Sequence, residues 1–504
     1  MRTRLALDVL ITAALLGVCG DLLLRVMPWG VNVSLASLAL VAGGAVLVRR
    51  HQIPVSVDAP WLGLTIVLLG AAFGRRDSAI LQTLDVIALI GVLGITVLAT
   101  QGGRLWLRGV TEYATAVGRS TLQAMLGVVP LLATDVQWHE VPRREALHGA
   151  RAVMLGVVLA LPLLIVFGAL FAGADSVFNG LVQNLIAVNL STAVSHVVFA
   201  VFWAVLVAGY LRGALLAPPG AGPPADRSPT LGLVPVGTAL GLVNLLFLLF
   251  VVVQARYFFG GTSLVEQTTG LTYAEYARGG FFQLVWASVL VLPVLLGADW
   301  LVRRESTEHV RSFRYLAGLL LVQLAVVMVS ALARMRLYVA AYGLSEIRLF
   351  ATAGMVYLAL LFGWFAATVL RGRRAWFASG GLVEALAVLS ALHIANPDAL
   401  IVRHNLTRPP SERPFDASYA VSLGADAVPV LLDALPRLEP KSRCDAARRL
   451  LKLWGPDPQT RADWRSWTWP RGVARRLVAT RATELAVPCI GTSDHPSSTA
   501  VQAP

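Results

Sequence analysis

The feature that most constrains this chain is a series of apolar runs, each about 20 residues long, that recur over roughly the first 400 positions. A helix of that length crosses a hydrocarbon layer about 30 Å thick, whereas the strands of a membrane β-barrel alternate apolar with polar residues. Only 14% of the residues are charged, well below the level of about 25% that is typical of soluble domains. The sequence therefore predicts an all-α, polytopic transmembrane helical bundle.

The runs predict about eleven spans, of which the third is the shortest, so that ten is the alternative count. If all eleven cross the membrane and the N-terminus is cytoplasmic, the inner connections carry 19 basic residues and the outer connections carry 7. This bias favours a cytoplasmic N-terminus. The predicted spans are 5–27, 32–48, 60–73, 79–100, 153–172, 193–211, 231–253, 281–301, 315–333, 350–370 and 380–396.

The basic residues also indicate a location and exclude one class of partner. All 42 of them except Lys441 and Lys452 are arginine, a usage typical of GC-rich bacterial genomes, so we expect a multi-pass protein of the bacterial cytoplasmic membrane. The net charge of +13 comes mostly from arginines that flank spans, where they bind lipid head groups. The lipid bilayer is therefore an expected partner and nucleic acid is not.

Five regions are predicted along the chain. Residues 1–216 contain six spans and a cytoplasmic segment, 101–152, whose helical pattern fits either an amphipathic helix on the membrane surface or an ordinary helix packed on the bundle. A Pro/Gly-rich linker at 217–230 leads to five further spans at 231–396. Residues 397–490 are expected to form a small helical extracytoplasmic domain, and 491–504 a disordered tail.

An unusual polar cluster is predicted in two outer connections of the second half, 254–286 and 333–350. Thr272 to Glu275 fits a capping box, so a helix is expected to begin there. Arginine together with tyrosine suits an anionic ligand; the alternative is an ion-pair network that only fixes the two connections. The cluster comprises Arg256, Glu275, Tyr276, Arg278, Arg334, Arg336, Tyr338, Tyr342, Glu346 and Arg348.

Ionisable residues within spans are the other candidates, because an isolated charge there is costly. Asp21 and Arg25 are one helical turn apart and are expected to pair. Asp85, His196 and His393 are candidates for a functional role that ordinary packing also explains.

The sequence contains no complete catalytic, metal-binding or nucleotide-binding motif. No catalytic residue, metal or cofactor is therefore predicted. Cys444 and Cys489 both lie in the predicted outer domain and form a candidate disulfide. The alternative is two unrelated buried thiols.

Several stretches of the second half form a recognisable combination: RYFFGG at 256–261, YAEYARGGF at 273–281, RMRLY at 334–338, YGLSE at 342–346, NPD at 396–398, then Asn405, Asp416, Tyr419, Leu423 and DAVP at 426–429. These residues resemble a family of bacterial polytopic membrane proteins, domain of unknown function 4173. The resemblance covers roughly 230–440. It implies that the outer connections and the tail form one unit, and it implies no established activity.

The expected function is that of a non-enzymatic envelope protein related to transport or sensing, with an anionic ligand or an envelope protein as the partner at its outer face. The alternative is a membrane-embedded enzyme that acts on a lipid-linked or envelope substrate. An enzyme needs a carboxylate or histidine in an open cleft, whereas a transporter needs a polar cavity at mid-depth.

Overall fold

The computed structural model describes residues 2–100, 104–138, 167, 175, 190–217, 232–269, 273–302, 307–408, 415–456 and 463–486. At 190, 191, 233, 255–269 and 273–279 it describes the backbone only. All regular elements among the described residues are helical, which confirms the predicted fold class. Nine described helices are long and apolar enough to cross a membrane, and a further pair of segments, bent by 59°, forms a tenth candidate.

The helices fall into three groups along the chain. The first group is α1 (Arg2–Leu24), α2 (Val31–Arg50), α3 (Ala59–Arg75), α4 (Ala79–Ala99), α5 (Val110–Leu126) and α6 (Leu190–Leu215). The second is α7 (Leu233–Thr269), α8 (Tyr273–Leu301), α9 (Thr307–Tyr342), α10 (Glu346–Thr368) and α11 (Phe377–Ala395). The C-terminal domain contains α12 (Pro397–Leu406), α13 (Ala417–Ser422), α14 (Val428–Ala434), α15 (Pro440–Trp454), α16 (Trp469–Thr480) and α17 (Ala482–Ala486).

Of the eleven predicted spans, 153–172 lies outside the described residues apart from Phe167, and the linker at 217–230 lies outside them apart from Ala217. The third predicted span is α3, a helix of 17 residues. It has about 25 Å of length at 1.5 Å per residue, so it is shorter than the other candidates but close to the thickness of the hydrocarbon layer.

One end of the bundle, which we call the C-terminal face, is covered by the helices that follow Asn396. The segment before α16 closes the turn between α1 and α2: Arg465 donates to the carbonyl of Leu22 at 2.7 Å, and Val31 donates its amide to the carbonyl of Trp467 at 3.0 Å. Both of these groups belong to helix ends, which leave backbone groups unsatisfied. The turns 76–78 and 343–345 lie at the same face.

The opposite end, the N-terminal face, holds the connections 51–58 and 100–109. Ser56 donates its amide to the carbonyl of Ala99 at 2.7 Å, and the amide of Leu105 donates to Asp58 at 3.0 Å. α3 begins beside Asp58 and ends beside Arg76, so it runs from one face to the other.

α5 lies along the N-terminal face. It packs against Gly94 of α4 and against Gly209 and Gly213 of α6, each of which is near the end of its own helix. Leu122 and Met125, on its outer side, are more than half exposed. The helix therefore combines the two alternatives for segment 101–152, because one side packs on the bundle and the other presents an apolar surface at the edge of the bundle.

α7 and α9, of 37 and 36 residues, are longer than a span requires. Arg334 of α9 donates to the side chain of Gln254 of α7 at 2.8 Å, and Gly280 of α8 lies against Arg334. All three helices therefore emerge side by side at the C-terminal face. The predicted connection 254–286 is helical wherever it is described, because no proline occurs between 236 and 292 to end the helices. α8 is described from Tyr273 onward; Thr272 lies outside the described residues, so the capping box stays a prediction.

The C-terminal domain has its own apolar core, which includes Ile401, Leu431 and Leu450, each fully buried. Leu344 and Leu349, from the turn between α9 and α10, pack against this core. The domain is therefore joined to the bundle by apolar contacts as well as by polar ones.

The close approach of α5 and α6 yields a first prediction. A Cβ atom at Gly209 would lie 2.2 Å from the carbonyl oxygen of Gln123, whereas a Cβ at Gly91 would have no neighbour within 4 Å. We expect Gly209→Ala to lower the stability by about 1–3 kcal/mol, and Gly91→Ala to leave it unchanged or raise it slightly. Thermal unfolding in detergent, followed by tryptophan fluorescence, measures both. Equal unfolding midpoints for the two variants would contradict the packing.

Candidate functional site at the C-terminal face

A buried polar network lies where the turn between α3 and α4 contacts the C-terminal domain; we call it the junction. Its centre is Arg76, which donates to the main-chain oxygen of His393 and to the carboxylate of Asp426, both at 2.7 Å. Asp426 is 5% exposed. Because the ion pair is buried, removing either partner would leave an uncompensated charge, at a cost of about 3–5 kcal/mol.

The next residue, Asp77, strengthens this contact as a hydrogen-bond donor and as an acceptor. Its amide donates to Asp426 at 2.8 Å, and its carboxylate accepts the amide of Ala425 at 3.3 Å and a bond from Arg471. Each of the two carboxylates therefore accepts an amide from the other one's segment. Such reciprocal bonds fix the turn and the domain in a single relative position.

His393 continues the junction into the membrane. Its ring Nε2 lies 2.9 Å from the carboxylate of Asp85, and both side chains are buried. Asp85 is six residues into α4, about 9 Å along the helix axis from its first residue. The junction thus extends from the interior of the bundle, through the ring and the main chain of His393, to Arg76 and the C-terminal domain.

Asp398 is the most constrained carboxyl group at this face. It is fully buried, accepts the amide of Gly424 at 3.2 Å with one oxygen, and has no hydrogen-bond partner on the other among the described residues. Burial, together with the negative charges of Asp426 and Glu346, raises the pKa of Asp398 to about 7. Burial also raises the pKa of Asp426, although its bonds from Asp77 and Arg76 oppose this.

Glycine is required at position 424. A Cβ atom there would lie 2.9 Å from the carboxylate of Asp398 and 2.9 Å from the main-chain oxygen of Asp77. A side chain at this position would therefore push the segment around Gly424 away from α12 and from the turn between α3 and α4.

The turn between α9 and α10 forms the other contact of the domain. The side-chain amide of Asn405 accepts from the amide of Leu344 at 2.7 Å and donates to the carbonyl of the same residue at 2.8 Å. Gly343 has a φ of +80°, which favours glycine. Tyr419 accepts the amide of Glu346 at 3.0 Å.

The described members of the predicted Arg/Glu/Tyr cluster have separate environments. Arg334 is buried against Gln254, whereas Arg336 is exposed. Arg348 lies over the rings of Tyr338 and Tyr342, with its guanidinium carbon 4.0 Å and 5.8 Å from the two ring centres.

Glu346 is half-buried beside Tyr419. The side chains of the other four members, Arg256, Glu275, Tyr276 and Arg278, lie outside the described ones, so a shared anion site stays a prediction. Tyr338, Tyr342, Glu346 and Arg348 stabilise the turn between α9 and α10, and Glu346 also joins it to the domain.

Other predicted residues are placed as follows. Asp21 pairs with Arg25 at 3.0 Å, as expected, and also lies 2.5 Å from His196 of α6. Cys444 is buried in α15. Cys489 lies outside the described residues, so the disulfide stays a prediction. Within the described part of the chain, no group of three or more His, Cys, Asp or Glu residues is arranged to hold a metal ion.

Sequence reasoning missed most of the junction. It considered Asp85 and His393 separately and gave no role to Arg76, Asp77 or Asp398. One signal was available: a turn of only a few residues between two spans carries Arg75, Arg76 and Asp77, and such a turn has little room for charges without partners. The partners themselves are more than 300 positions away, so the pattern alone did not identify them.

Comparison with known protein families places these contacts in context. Residues 63–434 match the family model of a domain of unknown function, DUF4153. The chain belongs to this family. The expected family, domain of unknown function 4173, is not confirmed. The expectation of a family without an assigned activity is confirmed. No curated protein and no solved structure gives a significant match.

The DUF4153 match begins within α3 and ends at the last residue of α14. It therefore includes both sides of the Arg76–Asp426 and Asp85–His393 contacts, together with Asp398. Arg471 lies beyond it. The centre of the junction is thus contained in the DUF4153 region, whereas the bond to Asp77 from α16 is added by residues outside that region.

The pKa of Asp398 yields a second prediction. Its folded-state value of about 7 exceeds the ordinary value of 3.8, so its contribution to stability is complete below pH 4 and is lost as the pH rises to 7. We expect Asp398→Asn, which keeps the acceptor for Gly424, to remove about 2 kcal/mol of the stability loss between pH 5.5 and pH 8. Thermal unfolding at several pH values measures this.

The control for this experiment is Asp433→Asn, which changes an exposed carboxylate of the same domain. It should keep the pH dependence of the wild type. An unchanged pH dependence in Asp398→Asn would show that Asp398 is ionised in the folded protein.

Proposed function

We propose that this protein is a non-enzymatic sensor of the bacterial envelope, in which the C-terminal domain lies outside the cytoplasmic membrane and transmits its state to the bundle through the junction. The observation that carries the proposal is the continuous path from Asp426 through Arg76 to His393 and Asp85. A domain that needed only an anchor would not require contacts that extend into the membrane interior.

The burial of the carboxyl groups favours sensing over the alternative of an enzyme. Asp85 and Asp398 are 0% exposed, so neither is open to a substrate in this conformation. Asp398, whose pKa is about 7, changes its charge near neutral pH. Such a buried group suits a switch between two states, because a small change in its surroundings alters the balance between them.

A third prediction tests the transmission. Arg76→Ala removes the donor to both His393 and Asp426, and we expect faster amide hydrogen exchange along α4 and α11 as far as Ala99 and Phe377 at the N-terminal face. The matched control is Arg403→Ala, an exposed arginine of α12. Hydrogen-exchange mass spectrometry on the full chain in nanodiscs measures all of these segments together. Changes confined to the C-terminal face would reduce the junction to an anchor and contradict the proposal.

A fourth prediction tests the orientation, which rests on the distribution of basic residues. Arg403 and Arg49 are both exposed, at the C-terminal and N-terminal faces respectively. In intact cells, a membrane-impermeant maleimide should label Arg403→Cys, and it should label Arg49→Cys only after lysis. The reverse pattern would place the C-terminal domain in the cytoplasm and end the envelope part of the proposal.

A further inference from the structure

A second polar feature of the C-terminal face lies beside the junction and shares Arg76 with it. A cavity of about 270 Å³ is lined by Arg75, Arg76 and Trp469. The guanidinium of Arg76 is already bound to Asp426 and His393. Arg75 is exposed and has no hydrogen bond or ion pair with any residue that the structure describes. The cavity is therefore lined by two guanidinium groups, of which that of Arg75 is available to a ligand.

An apolar stripe on α3 leads to this cavity. Trp61, Leu64, Leu68 and Ala71 are all exposed, and their spacing places them along one side of the helix. Arg75 follows at the same spacing, at the end of α3. We call these four residues the α3 stripe.

The stripe is long enough to line one leaflet of a membrane. From Trp61 to Arg75 the helix rises about 21 Å, which exceeds the thickness of half of the hydrocarbon layer, about 15 Å. An acyl chain that lies along the stripe therefore brings its head group to the level of Arg75.

The third wall of the cavity is suited to the same level of the membrane. Trp469 is 62% exposed, and Trp464 and Trp467 of the same segment are also exposed. Tryptophan is enriched at the boundary between lipid and water, where its ring contacts glycerol and acyl groups. Arginine binds phosphate through two parallel hydrogen bonds.

We propose that the cavity binds the phosphate of an anionic phospholipid from the leaflet at the C-terminal face, with Arg75 as the ligand-binding residue, Arg76 as a fixed second charge and Trp469 as the wall. One acyl chain of this lipid lies along the α3 stripe. The proposal does not depend on the sensing function, because it concerns binding alone.

The test uses the full chain in nanodiscs with a photoactivatable phosphatidylglycerol, and a photoactivatable phosphatidylcholine as the neutral probe. Cross-links are mapped by mass spectrometry. We expect phosphatidylglycerol to label the α3 stripe and the segment around Trp469, and excess unlabelled phosphatidylglycerol to compete with it. Arg75→Gln should reduce this labelling about tenfold, as expected for the loss of a charge-assisted hydrogen bond, while Arg403→Gln should leave it unchanged.

Two results would overturn the proposal. Equal labelling by both probes, insensitive to Arg75→Gln, would show that the stripe contacts bulk lipid only. Competition by inorganic phosphate as effective as competition by the lipid would show an anion site without an acyl-chain subsite. The thermal unfolding midpoints of Arg75→Gln and Arg403→Gln are measured as well. If both equal that of the wild type, a loss of labelling reflects a loss of binding.

Discussion

The constraint on which this structure depends is that a charge within an apolar bundle must be neutralised close by. Five described aspartates that pack against the bundle helices have a basic partner from another segment of the chain. Removing one member of such a pair costs more than the pair contributes, since the remaining charge stays buried. The pairs therefore specify which helices are neighbours. They are Asp8 with His51, Asp21 with His196, Asp85 with His393, Asp135 with Arg212, and Asp299 with Arg374.

The junction applies the same rule to a contact between a membrane bundle and a water-exposed domain. Asp426 accepts the main-chain amide of Asp77, and Asp77 accepts that of Ala425; each carboxylate also binds an arginine. These bonds fix the orientation of the domain on the bundle as well as balancing the charges. Apolar packing of Leu344 against the domain core adds area without specifying orientation. The two together explain how a domain with its own core is fixed on the bundle at two separate turns.

The fold class and the helix boundaries were largely accessible from the sequence, because hydropathy and proline positions act locally. The site was not, since Arg76 and Asp426 are 350 positions apart and nothing in either segment identifies the other. The length of α7 beyond Gln254 was also missed, because a charged stretch reads as a loop although its residues continue a helix. Long-range polar pairs and helices that continue out of the membrane are both decided by tertiary structure.

The contact between Arg465 and Leu22 joins residues that are 443 positions apart in the chain. At about 5–20 residues per second, synthesis separates the two by roughly 20–90 s. During that interval the carbonyl of Leu22 and the amide of Val31 lack the partners that Arg465 and Trp467 provide in the complete fold. The turn of the hairpin that is made first is therefore completed among the last parts of the molecule.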